Sequence, residues 1–138
     1  MVAPIFRFRN VKLRLTSTNP TFVYGVVSFD PANADKTLAD GIVPSEVSSV
    51  LLTVQIANLT ANGVTVSAYI QNAALADTFL ASARTLVEDY PLVAQNAFDP
   101  LSGNLVMGEG DQLWIQTSSA NSCDVIVSLL EIANATAS

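Results

Sequence analysis

The sequence predicts an all-β fold, an antiparallel β-sandwich or jelly-roll-like arrangement in a single domain spanning 1–138. Three observations predict it. Apolar and polar side chains alternate with period two along most of the chain, the pattern of half-buried strands. No window of about 11–18 residues sustains the i, i+3, i+4, i+7 apolar spacing of an amphipathic helix. Turn signals such as Asn19-Pro20, Asn62-Gly63, Asp99-Pro100 and Ser102-Gly103 recur between short strands. Half of the residues are apolar and only 13% charged, which favours a compact fold rich in buried or partner-facing positions over a disordered chain.

In chain order, the first strand carries Phe6 and Phe8 on one face and then Val11, Leu13 and Leu15, so its apolar phase slips by one residue at Arg9-Asn10. A β-bulge there is expected to restore the face, leaving Arg7, Arg9, Lys12 and Arg14 all opposite the apolar side. Residues 1–20 thus read as a basic docking strand or arm. A strand follows at 21–27, then a long loop at 28–45 rich in Asp, Asn, Gly and Pro. Loops of that length are uncommon unless they bind something or move, so this one is a candidate contact element.

The segment 51-LLTVQIANLTANGVTVSAYIQN-72 reads as a hairpin, with Asn62-Gly63 supplying the positive φ angles of a tight turn. Val50, Leu52, Val54 and Ile56 are expected to share a core face with Val64, Val66, Ala68 and Ile70. Leu51 and Tyr69 indicate partial cover on the second face. Further strands are expected near 78–87, 104–107, 112–119 and 124–132, with an extended stretch at 90–95 and a frayed tail at 133–138. Cys123 is the one cysteine and reads as a small buried residue, in keeping with a reducing compartment.

The net charge of −6 is unevenly spread. Residues 1–36 hold Arg7, Arg9, Lys12, Arg14 and Lys36 against Asp30 and Asp35, a balance of +3, and the remaining residues hold Arg84 against ten acids, a balance of −9. The two parts attract each other, or each other's copies. The candidate partner-docking residues are therefore Arg7, Arg9, Lys12 and Arg14 on the strand and Asp35 and Lys36 in the loop.

Chemistry finds little footing. The chain has no histidine, which removes the commonest general base and metal ligand, and its six glycines form no phosphate-cradling loop. Glu109 with Asp111 in 108-GEGD-111, and Glu88 with Asp89, are the nearest approach to paired carboxylates; the first reads as a solvated turn, with weak calcium binding as the alternative, and the second pair would point to opposite faces of a strand. No catalytic residue, metal or cofactor is expected. Four cations on an acidic chain do not make a nucleic-acid site. No apolar run approaches the roughly 20 residues of a membrane helix, and the opening residues do not read as a secretory signal, which leaves the sequons at 58–60 and 134–136 without consequence. A sugar-binding surface would draw on Trp114, Tyr24, Tyr69 or Tyr90, with Trp114 the strongest candidate.

The segments 42-IVPSEVSSVLLTVQIANLTANGVTVSAYI-70 and 103-GNLVMGEGDQLWIQTSSANSCDVIVSLLEI-132 together resemble the small β-sandwich structural proteins of tailed-bacteriophage virions. The resemblance lies in Val43-Pro44, Ala57-Asn58, Val64-Thr65-Val66, Gly110-Asp111-Gln112-Leu113, and Asp124-Val125 through Leu130-Glu131-Ile132. It covers about residues 42–132, and departs from the family at 28–41 and 86–102. It implies a nonenzymatic virion part, made in the host cytoplasm: a capsid decoration or cement protein, or else a neck, collar or tail attachment protein. A fibre-tip carbohydrate-binding sandwich is the competing expectation. The implied partners are further copies of the chain, as a symmetric homo-oligomer, and another virion protein such as the major capsid protein or a neck or tail protein, with no nucleic acid and no membrane.

Overall fold

The computed structural model describes residues 5–26, 42–43, 47–72, 79, 83–108 and 110–133. Ten strands run β1 (Ile5–Arg14), β2 (Thr21–Val26), β3 (Ile42–Val43), β4 (Val47–Asn58), β5 (Val64–Asn72), β6 (Arg84–Leu92), β7 (Ala97–Phe98), β8 (Leu105–Met107), β9 (Asp111–Thr117) and β10 (Cys123–Ala133), and no helix occurs among the described residues. They form two sheets. The first has the order β1-β10-β4-β7, with β8 further along the same edge of β4, and the second has the order β3-β2-β9-β5-β6.

All pairings are antiparallel except β2 with β3. Taking β7 and β8 as one interrupted strand, β1 pairs with β10, β2 with β9, β4 with β7 and β8, and β5 with β6. This nesting is a long antiparallel ribbon rolled over on itself, the jelly roll. Between the sheets lie Leu15, Val23, Leu51, Val54, Ile56, Val66, Leu113, Ile115, Val125, Val127 and Leu129, each at most 2% exposed. Burying one such aliphatic side chain contributes about 1.5–3 kcal/mol, so this layer supplies most of the driving force.

Four expectations are corrected by this arrangement. The stretch 51–72 is not a hairpin, because β4 belongs to the first sheet and β5 to the second. The link between them is an arch organised by the buried side chain of Asn58. Its Nδ2 donates to the carbonyls of Asn62 (2.8 Å) and Leu92 (3.2 Å), while its Oδ1 accepts from the Thr60 amide (2.9 Å) and hydroxyl (2.8 Å). Gly63 has no positive φ and a Cβ there would meet only the Leu92 carbonyl at 3.7 Å, so no tight turn depends on it.

The phase slip sits in β4, not in β1. Leu129 opposes Leu51 while Ser128 opposes Thr53, so Leu52 is the extra residue, and the inward set is Ser49 and Leu51 before the bulge and Val54 and Ile56 after it. Strand β1 keeps unbroken register with β10 from Ile5 to Arg14. Its alternation therefore runs straight through, with Arg9, Val11 and Leu13 partly buried and Phe6, Phe8, Asn10, Lys12 and Arg14 exposed. Phe6 and Phe8, expected in the core, are 62% and 78% exposed.

The remaining expected strands are present with shifted ends: β6 begins at Arg84, and Ile42–Val43 of the 28–45 stretch pair with Gly25 and Val26 of β2. The rest of that loop, Asp35 and Lys36 with it, lies outside the described residues, as do Glu109 and the tail from 134.

Candidate interaction surface

The reason for the phase of β1 lies on the inner face of its own sheet. Glu131 on β10 is 3% exposed and faces inward, as do Ser49 on β4 and Tyr24 on β2. A carboxylate taken out of water needs a cation and hydrogen-bond donors close by. Arg9, the diagonal neighbour of Glu131, supplies the charge through Nη1 to Oε2 at 3.2 Å, and the Tyr24 hydroxyl donates to the same oxygen at 2.8 Å. The Ser49 hydroxyl bonds to the Tyr24 hydroxyl in turn. Burial, more than any neighbour, pushes the Tyr24 phenol well above its ordinary pKa and keeps it neutral. This network joins β1 and β10 of one sheet to β2 of the other and so ties the two sheets together.

The second sheet closes its outer face. Trp114 on β9 is 5% exposed, covered by Phe22 at 5.7 Å and Phe79 at 5.5 Å between ring centroids, and Tyr69 packs against Phe79 at 5.1 Å. Gln112 Oε1 accepts from the Trp114 indole N–H (2.9 Å) and from Gln71 Nε2 (2.8 Å). Buried there, Trp114 is no platform for a sugar ring. Tyr24 is fully buried too, and Tyr90 lies stacked on Phe98 at 4.1 Å.

The carboxylates singled out in the sequence are held in turns. Asp111 accepts from the Gly108 amide (2.9 Å) through one oxygen and from Asn72 Nδ2 (3.0 Å) through the other. Asp89 adopts φ 49° where Glu88 and Asp89 together oppose Ser67, whose hydroxyl accepts the Asp89 amide at 2.9 Å. Asp89 rims a hollow of about 190 Å³ with Thr18, Thr65, Ser67, Gln116 and Ser118. Two of the hollow's polar side chains are bonded to neighbours: Ser118 Oγ accepts the Thr65 amide, and Gln116 donates to the Thr18 carbonyl and accepts from the Tyr69 hydroxyl. Cys123 is fully buried against Thr117 and Ser122, so the folded chain does not offer it to a second molecule.

The first sheet leaves its outer face open. The paired register sets up rows of side chains across it. One row runs Phe8, Leu130, Val50, Val106, from the β1 edge to the β8 edge, with both end residues well exposed, Val106 at 68%. Beside it stands Phe6 with Ile132. Further along, Lys12, Ile126 and Gln55 form a row that ends at Asp99, one step beyond the Ile56–Phe98 pair. Asp99 fills the break between β7 and β8, its Oδ2 accepting the Val54 amide (3.3 Å) and its Oδ1 the Leu101 amide (2.8 Å). The last row begins with Arg14 and Asp124, joined by two bonds of 2.8 and 3.2 Å. Hydrogen bonding to Arg14 holds the Asp124 carboxyl below its ordinary pKa.

The four basic residues of β1 are thus not equivalent. Arg9 points inward and is spent on Glu131, Arg14 is paired yet half exposed, Lys12 is exposed, and Arg7 lies opposite Glu131 in register. The exposed phenylalanines escaped sequence reasoning because their alternation with arginine looked like a buried face. The inward carboxylate that dictates the opposite phase lies on β10, 122 positions from Arg9.

Comparison with known proteins identifies no family: no family model and no curated protein matches the chain. Among solved structures, one titled as infectious bursal disease virus Gx strain is similar at 12% identity and a TM-score of 0.47, covering 99% of this chain and 35% of that one. The chain thus spans about a third of that protein's length. Another, Eiger TNF from S. frugiperda, is similar at 15% identity and a TM-score of 0.40, with 95% of both chains covered.

Proposed function

We propose that this chain is a nonenzymatic structural component of a tailed-phage virion, a capsid decoration or cement protein that works through protein–protein contacts. The observation that carries the reading is the open outer face of the first sheet, where Phe6, Phe8 and Val106 stand exposed in apolar rows. Apolar area left in water on one face, with the other face of the sandwich closed, is the mark of a surface covered by something else. The motif resemblance over residues 42–132 supplies the phage context. Decoration of a lattice requires a rigid part with a defined face and no chemistry, and the interior network and turn-bound carboxylates described above fit such a part.

The test is to locate the protein on intact particles with gold-labelled antibody against the purified chain. Label over the head is expected. Label confined to the neck or tail would replace decoration with attachment, and particles without label would remove the virion reading altogether.

A further inference from the structure

The two lateral edges of the sandwich differ in a way that makes them fit each other. Strand β1 borders the first sheet on one side, over β2. On the opposite side lie β7 and β8, with β6 of the second sheet beneath them, as the stacking of Tyr90 on Phe98 shows. The β1 edge is basic and presents Phe8 and Lys12. The other edge is acidic on balance, with exposed Glu88, Asp89 and Asp99 against Arg84 at the start of β6, and presents Val106.

Register strengthens the match. The row that starts at Phe8 ends at Val106, and the row that starts at Lys12 ends at Asp99. Two copies placed side by side without a shift therefore bring Phe8 of one against Val106 of the next and Lys12 against Asp99. The strand directions agree as well, since β1 runs parallel to β4 and antiparallel to β8, so the contact continues the sheet with an antiparallel neighbour. Two β1 edges facing each other would instead oppose like charges.

We propose that the partner of the β1 edge is a second copy of this chain, docked head to tail on the β7–β8 edge, and that repetition of this contact closes a ring. Such a contact is heterologous, so it uses both edges of the first sheet in every copy and leaves neither of them open to uncontrolled pairing. It rests on the reading of this chain as a part that works by protein contacts, and it adds the surface and the partner.

Disulfide trapping tests it, because the native Cys123 is buried and the added thiols are the accessible ones. Phe8→Cys and Val106→Cys change exposed positions and are expected to keep the wild-type melting temperature. Mixed and oxidised, the two variants are expected to form an 8–106 cross-link, while neither forms one alone. Sedimentation is expected to show a closed oligomer whose dissociation constant rises about tenfold in Lys12→Glu at unchanged melting temperature. A cross-link of Phe8→Cys with itself, no cross-link in the mixture, or a monomer at every concentration would each overturn the proposal. Antibody labelling of particles is independent of all three, so failure of the ring and failure of the virion role are read separately.

Discussion

The two sheets of this sandwich treat their outer faces in opposite ways. On the second sheet a tryptophan is sealed under Phe22 and Phe79 and its N–H is satisfied by Gln112. On the first, two phenylalanines and a valine stand more than 60% exposed, although the strands behind them are as regular. The difference teaches that an outward aromatic is not by itself a contact surface. What distinguishes the first sheet is that no described segment of its own chain covers the row, so its apolar side chains stand in water in the free chain.

Mutations can break or sharpen that contrast. The largest effect is expected at the closed face: Trp114→Ala should cost about 3–5 kcal/mol in denaturant unfolding, whereas Phe8→Ala in the free chain should stay within about 0.5 kcal/mol. Comparable losses at the two positions would erase the distinction between the faces. Next comes the network that sets which way β1 faces. Glu131→Ala leaves Arg9 buried without its carboxylate and removes the acceptor of the Tyr24 hydroxyl, for an expected loss of about 3 kcal/mol. Replacing Arg9 and Glu131 together by Met and Leu should cost less than Glu131→Ala alone, since no charge is then stranded; a larger loss would mean the pair is not what orients the strand.

A smaller effect separates two glycines. Gly110 has φ +84° and a Cβ there would come within 2.9 Å of the Asn72 amide, so Gly110→Ala is expected to cost about 2 kcal/mol. Gly63→Val should leave the melting temperature nearly unchanged, and a large drop would restore the hairpin turn that the structure replaces with an arch.

The smallest effect lies at the polar end of the open face. Because bonding to Arg14 lowers the Asp124 pKa in the folded state, its contribution is complete above the unfolded value of about 3.9 and disappears as the pH falls through the lower folded value. The melting temperature of the wild type should therefore exceed that of Asp124→Asn slightly at neutral pH and low salt, and the gap should close under acid or high salt. A gap that persists in acid would contradict the pairing.

The all-β class and most strands were legible in the sequence because period-two alternation is local information. The burial of Cys123 and the turn at 108–111 were legible for the same reason. What stayed hidden was long-range. Alternation on both sides of Asn62-Gly63 describes two strands equally well whether they pair or lie in opposite sheets, and only the capping bonds of Asn58 to Leu92 distinguish the arch. The phase of β1 was read correctly from Val11 to Arg14 but backwards over 6–9, because Phe-Arg-Phe-Arg has no preferred inward side until Glu131 arrives from the far end of the chain. The bulge expected in β1 is absent, and β4 carries a different one, where Leu51-Leu52 hides it: either leucine can face in. Of the docking residues proposed from charge, Lys12 and Arg14 reach the surface while Arg9 is turned inward, and the exposure of Phe8 and Val106, which carry no charge, was missed.

The most direct measurement of the central claim is carbene footprinting of the outer face, comparing the free chain with the chain in assembled particles. Phe6, Phe8 and Val106 are expected to label strongly in the free protein and to be protected in the particle, with Trp114 unlabelled in both. Equal labelling of the three in both states would contradict the account, because the open face would then be no contact surface at all.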